Sequence, residues 1–275
     1  LALETGAIRA LSIRVVTDRA TLKPRVENVS EEITSLAISP SGKRVAAVAR
    51  GDVFSVPEEK GVVSNLTRTS GTFERFATWS HDGKSLAWWS DATGEYELHV
   101  RPADGSGDAR KVTSFGPGFR YRPWWSPDGQ RIAFVDQAMS IHVVDVATGK
   151  DSKIDKGLYM FEGELRSFRP SWSPDSRWLA WGRALEGGPS ALFLWDAKSG
   201  RTRQVTSGFQ SDQGPVFDPT GKYLYFLTNR HFAPIYSDFD NSWAYANSTE
   251  IACIALRKDV PSPLRPENDV EGEED

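Results

Sequence analysis

The chain has 275 residues, 39% of them hydrophobic and 11% aromatic, which is enough to bury a large core as one repetitive domain. With 33 basic against 37 acidic side chains its formal net charge is −4, and no stretch supplies the concentrated basic face that nucleic-acid phosphates demand. No apolar run approaches the roughly 20 residues that span a bilayer, so neither a nucleic-acid partner nor a membrane anchor is expected.

Taken from the N-terminus, Leu3-Glu4-Thr5-Gly6 matches Val146-Ala147-Thr148-Gly149 and Ala197-Lys198-Ser199-Gly200 further on. The chain is therefore expected to begin at a hairpin inside a repeat. A five-residue turn then recurs as Ser39-Pro40-Ser41-Gly42-Lys43, Ser80-His81-Asp82-Gly83-Lys84, Ser126-Pro127-Asp128-Gly129-Gln130, Ser173-Pro174-Asp175-Ser176-Arg177 and Asp218-Pro219-Thr220-Gly221-Lys222, at intervals of 41, 46, 47 and 45 residues. A period of about 40 to 50 residues carrying strands and turns is the signature of four-stranded propeller blades, which bury their faces only by stacking radially. Pro presets φ at the second turn position, and Asp and Gly tolerate the tight return, so the turn has a structural mechanism of its own.

Before each turn stands a short innermost strand ending in a bulky residue: Ala77-Thr78-Trp79, Pro123-Trp124-Trp125, Pro170-Ser171-Trp172 and Pro215-Val216-Phe217. After it comes a β-branched and aromatic run suited to burial on both faces, as in residues 44–48, 85–89, 131–135, 178–181 and 223–227. Third strands are expected over 96–100, 140–144 and 191–195, and polar outer strands at Asn65-Leu66-Thr67, Lys111-Val112-Thr113 and Gln204-Val205-Thr206. The fold class is thus an all-β propeller of four-stranded antiparallel blades, with repeats centred on Ser39, Ser80, Ser126, Ser173 and Asp218. Five full blades and a half-blade cannot close a ring, and no initiator Met is present, so the chain is expected to be a fragment of a longer polypeptide. Residues 1–264 form the propeller segment and 265–275 an acidic linker or tail.

Chemistry is sparse by comparison. No Gly-x-Ser-x-Gly elbow or Gly-rich phosphate loop occurs, and His81, His99, His142 and His231 do not stand at metal-ligand spacing. No catalytic, metal or cofactor site is expected. Asp128 and Asp175 belong to the repeated turn, and Gly129 arrives one residue too early for a glycosidase box. Cys253 sits in an apolar strand as a small buried hydrophobe. Among the ten tryptophans, Trp79, Trp125 and Trp172 occupy equivalent repeat positions, where packing between blades accounts for them better than ligand stacking. Arg75, Arg122 and Arg169 each stand three or four residues before such a Trp. They are candidates for lining a channel mouth and greeting a carboxylate by bidentate hydrogen bonds; the alternative is that each pairs with a neighbouring blade's Asp or Glu. Residues 229–249 interrupt the last repeat with an insertion whose Phe232, Tyr236, Phe239, Trp243 and Tyr245 are candidates for docking another domain.

The stretch Asn65-Leu66-Thr67-Arg68-Thr69-Ser70-Gly71, the turn after Trp79, Ser90-Asp91-Ala92-Thr93-Gly94-Glu95-Tyr96, the insertion with Tyr236-Ser237-Asp238-Phe239 and the exit Lys258-Asp259-Val260-Pro261-Ser262-Pro263 together resemble the second, seven-bladed propeller of tricorn-type proteases. The resemblance implies a self-compartmentalising serine peptidase that trims oligopeptides, assembled as a homohexamer from two propellers, a PDZ-like domain and catalytic domains. It implies that this propeller guides peptide substrates. The family's catalytic serine, histidine and glutamate lie in C-terminal domains, so none is assigned to this chain. A protein-interaction propeller of the Tol-system or WD40 type remains the alternative; Trp195-Asp196 matches a WD pair once.

Overall fold

The computed structural model describes residues 12–14, 16, 27–158, 160, 162–231, 233–237, 242–244 and 248–265. After a 3-10 turn at Ser30–Glu32, the first sheet is built from β1 (Ile33–Ile38), β2 (Arg44–Ala49), β3 (Asp52–Pro57) and β4 (Ser64–Asn65). The second holds β5 (Glu74–Trp79), β6 (Ser85–Ser90), β7 (Glu97–Pro102) and β8 (Arg110–Lys111). The third holds β9 (Trp124–Trp125), β10 (Arg131–Val135), β11 (Ser140–Asp145) and β12 (Asp151–Lys156). A short helix, α1 (Glu162–Ser167), leads into the fourth, made of β13 (Ser171–Trp172), β14 (Trp178–Ala184), β15 (Ser190–Asp196) and β16 (Arg201–Gln204). In the fifth, β17 (Asp212–Phe217) and β18 (Tyr223–Thr228) are followed by a separate hairpin, β19 (Ile235–Ser237) with β20 (Ser242–Ala244), before β21 (Glu250–Ala255) pairs with β18. Every pairing of named strands is antiparallel.

Each recurrent turn is closed by its own side chains. The Oγ of Ser80, Ser126 and Ser173 accepts the amide N–H five residues on, at 3.0, 2.9 and 2.8 Å. The same hydroxyls donate to Asp82, Asp128 and Asp175, whose carboxylates accept the amides of Lys84, Gln130 and Arg177. In the last repeat Asp218 takes the serine's place, accepting from Tyr223 N at 2.7 Å. The fourth turn position needs a left-handed backbone, supplied by Gly129 at φ 68° and, in the one repeat without glycine there, by Ser176 at φ 59°. With their oxygens engaged in this way, Asp128 and Asp175 are turn residues, as the repeat pattern implies.

The first strands of successive sheets touch one another (β1 with β5, β5 with β9, β13 with β17), so these are the strands on which the blades converge. The repeated tryptophans join them. Trp79 Nε1 donates to Ala37 O at 2.9 Å, Trp125 Nε1 to Thr78 O at 3.4 Å and Trp172 Nε1 to Trp124 O at 3.3 Å, each indole reaching the preceding blade. Each acceptor stands two residues before the turn serine, at a hydrogen-bonded position of the ladder with the second strand, so the indole N–H takes a further lone pair of a carbonyl that the ladder already uses. Phe217 holds the slot in the fifth blade and has no such donor; there its backbone N–H donates to Ser171 Oγ at 3.0 Å. Between blades lie apolar layers, such as Ala46, Val48 and Val53 against Leu86 and Trp88, or Trp89 and Leu98 against Ile132 and Phe134.

The polar outer strands end two residues earlier than expected. Thr67, Thr113 and Thr206 lie past the strand ends, yet their hydroxyls continue the ladder by accepting the amides of Val53, Leu98 and Leu192 at 2.9–3.0 Å. The fifth blade has three strands among the described residues, where four were expected. Helix α1 was not expected; six residues with only Leu165 buried are too few to show a helical period. Cys253, expected to be buried, is half-buried. Its face of β21 also carries Ile251, and with Val216 and Leu227 that face is exposed, whereas Phe217, Leu224 and Phe226 pack against the fourth blade. At the other end of the arc Leu36 and Ile38 on β1 are likewise exposed. The expected hairpin at Leu3–Gly6 and the acidic run after Arg265 lie outside the described residues.

Candidate functional site

The candidate arginines occupy the ends of the inner strands remote from the recurrent turns. Their alignment depends on a bulge. In β5 the register slips between Arg75 and Thr78, and the third blade slips in the same way, with Tyr121 N bonding to Val135 O while Trp124 faces Ala133. Counted from the repeated Trp, Arg75 therefore shares a slot with Tyr121 and Phe168, four residues back, whereas Arg122 and Arg169 share one with Phe76, three back. The structure brings Arg122 and Arg169 into one electrostatic neighbourhood and sets Arg75 apart.

Arg122 Nη2 donates to Leu36 O at 3.0 Å, reaching past the second blade to the first, and its guanidinium lies 5.3 Å from the Trp124 ring centroid. Burial, followed by the like charge of Arg169, holds its pKa below the usual arginine value. Arg169 is exposed and lines a cavity of about 290 Å³ with Phe168, Arg183 and Gln213 between the fourth and fifth blades. Arg75 donates through Nε to Tyr96 OH at 2.8 Å, and its guanidinium carbon lies 4.9, 5.4 and 5.2 Å from the ring centroids of Phe73, Tyr96 and Phe119. The expected alternative, ion pairing with a neighbouring blade, does not hold: among the described residues none of the three arginines is in a salt bridge. Carbonyls and aromatic faces hold Arg75 and Arg122 instead, and leave their charge uncancelled.

Sequence reasoning missed a second polar cluster. His142 on β11 lies with Nδ1 2.9 Å from Asp151 Oδ2 and Nε2 3.3 Å from Asp136 Oδ2, its ring stacked on Phe134 at 4.9 Å. Burial alone would lower its pKa; the hydrogen bonds to the two carboxylates outweigh burial and push it up to about 9. Spacing could not reveal this, because Asp136 follows β10 and Asp151 opens β12, and only the pairing of β11 with its two neighbours brings both to the ring. Among the described residues no group of three or more His, Cys, Asp and Glu side chains is arranged to hold a metal ion, and no helix is long and apolar enough to cross a membrane.

In the insertion, Tyr236 and Trp243 are cross-strand partners in the β19–β20 hairpin, their rings edge to face at 5.2 Å and both exposed. Phe232, Phe239 and Tyr245 lie outside the described residues.

Successive four-stranded sheets converging on their first strands define an arc of a β-propeller. The chain belongs to the family of the tricorn protease second beta propeller domain, whose model matches residues 33–275. It is 27% identical over 264 residues to tricorn protease homolog 1 of Streptomyces coelicolor, which covers 94% of this chain and 24% of that protein. It is 28% identical over 252 residues to the tricorn protease of Thermoplasma volcanium, covering 86% and 22%. Among solved structures, a crystal structure of the tricorn protease superposes with a TM-score of 0.72 at 20% identity, over 90% of this chain and 24% of that one. A putative TolB from Agrobacterium tumefaciens gives 0.51 at 19% identity, over 82% and 77%. The chain spans about a quarter of the length of the tricorn relatives it matches.

Proposed function

We propose that this propeller is a non-catalytic segment of a tricorn-like serine peptidase that degrades oligopeptides, and that it acts as substrate channel and assembly scaffold. The observation that carries the reading is the uncancelled arginine pair at the converging strands: Arg122, anchored on Leu36 O, beside exposed Arg169, with no carboxylate bound to either among the described residues. Fixed positive charge on a low-dielectric rim raises the local concentration of anionic peptides and speeds their capture. The partners proposed are peptide substrates, the catalytic and PDZ-like domains of the same polypeptide, and further copies of it; the proposed location is cytoplasmic, with the periplasm as the alternative. The aromatic hairpin at Tyr236 and Trp243 is assigned to docking those domains, since exposed aromatics are the residues that dominate interfaces.

Two measurements on the purified chain test this. It should hydrolyse no fluorogenic peptide, and it should bind an acidic oligopeptide with an affinity that falls steeply with salt and is lost in the Arg122→Gln/Arg169→Gln double variant. Turnover that survives removal of contaminants overturns the non-catalytic assignment, and salt-independent binding overturns the channel.

A further inference from the structure

Arg75 and its surroundings form a site separate from the Arg122–Arg169 pair. A cavity of about 400 Å³ is lined by Thr34 and Ser35 of the first blade, Arg75 and Phe76 of the second, Phe119 and Tyr121 at the entry to the third, and Arg166 of α1. Three aromatic faces and the Tyr96 hydroxyl fix the Arg75 guanidinium, while its Nη1 and Nη2 have no acceptor among the described residues. Arg166, the other cation of the cavity, is already bonded through Nε to Glu162 at 2.8 Å, and Glu162 also accepts the Tyr121 hydroxyl at 2.7 Å. Two further features of the wall are unusual. Ser35 Oγ is buried with no hydrogen-bond partner. Phe76, at the bulge, holds φ at 53°, a conformation a bulky side chain adopts only under constraint, and its ring packs edge to face on Phe119 at 6.4 Å.

We infer that this cavity binds the C-terminal residue of a peptide, taking the carboxylate on Arg75 and an aromatic side chain against Phe76, Phe119 and Tyr121. The inference rests on the peptide-channel reading and names the end of the peptide that is held. A guanidinium with both terminal nitrogens free matches a carboxylate in a bidentate pair. The volume stands near the lower limit for ligand pockets, which suits one or two terminal residues and not a longer segment. Fixing the guanidinium beforehand removes the ordering cost that an exposed arginine incurs on binding.

The test titrates the purified chain with N-acetyl-Ala-Ala-Phe bearing a free carboxylate and with its carboxamide, and locates the bound acid by hydrogen–deuterium exchange. The acid should bind about ten-fold more tightly than the amide, with protection over residues 34–35, 73–77 and 119–121. Arg75→Gln should abolish the difference between acid and amide, and Arg75→Lys should retain part of it. Equal affinities for acid and amide in the wild-type chain, a measurement that needs no variant to fold, would overturn the inference. So would protection confined to the strands around Arg122 and Arg169, which would leave the channel reading standing. Absence of binding by any peptide, acidic oligopeptides included, would remove both.

Discussion

Replacing Trp79 by Phe removes the N–H that joins the second blade to the first. The indole donates to Ala37 O at 2.9 Å from a side chain only 9% exposed, packed among Ala46, Val48 and Trp88. Losing this hydrogen bond costs about 1 kcal/mol, since Ala37 O keeps its ladder partner Ala46, and the volume lost from a close-packed layer adds about 1–2 kcal/mol. A loss of about 2–3 kcal/mol is expected, which at a urea slope of about 3 kcal/mol per molar lowers the unfolding midpoint by about 0.7–1 M. Fluorescence of the nine tryptophans that remain of ten reports the transition. Phe at Trp125 or Trp172, whose bonds of 3.4 and 3.3 Å are longer, should cost less. Trp243→Phe, at a site 53% exposed, should change stability by no more than about 0.5 kcal/mol. Equal midpoints for Trp79→Phe and Trp243→Phe would refute the claim that indole–carbonyl bonds link the blades.

His142 provides a pH dependence whose sign follows from its raised pKa. With a folded value of about 9 against about 6.5 unfolded, the stabilisation of up to about 3 kcal/mol is fully present below pH 6.5 and lost as pH rises through 9; urea midpoints should fall across that window in the wild type and stay flat in His142→Gln. Ser126→Ala strips a fully buried hydroxyl from Arg131 N and Asp128 and should cost about 1–3 kcal/mol by the same denaturation, whereas Asp104→Ala, on an exposed turn, should cost no more than about 0.5 kcal/mol. If the β19–β20 hairpin docks a catalytic domain, limited proteolysis should cut near Tyr236 and Trp243 in the isolated propeller and spare them when that domain is attached; equal cleavage in both would remove the docking role.

The blade period was legible because each repeat needs the same punctuation: a hydroxyl or carboxylate to close the turn and a residue that accepts a left-handed backbone, met by Gly129 in one repeat and Ser176 in another. The repeated Trp was legible as packing, but its bond to the preceding blade was not, since the acceptors are backbone carbonyls and carry no residue identity. The arginines were only half legible. Their spacing from the Trp differs by one residue, and in a strand one residue reverses the face, so Arg75 joins Tyr121 in register and not Arg122. Their ion pairs were expected on charge alone, yet Arg75 is held by aromatic rings and Arg122 by Leu36 O, partners that no charge pattern in the sequence announces. The His142 cluster escaped for a similar reason, because Asp136 follows β10 and Asp151 opens β12, and only the folded sheet brings both carboxylates to one ring.

The most direct test of the channel reading uses the longer polypeptide in which this propeller is proposed to precede catalytic domains. Arg122 and Arg169 are changed together to Gln, and kcat/KM is measured at low and high salt for a long anionic oligopeptide and for a dipeptide-sized substrate. The account expects kcat/KM for the long anionic substrate to fall, its salt dependence to flatten, and the small substrate to be unaffected. A uniform loss for both substrates accompanied by a lower unfolding temperature would contradict it and leave these arginines as packing residues.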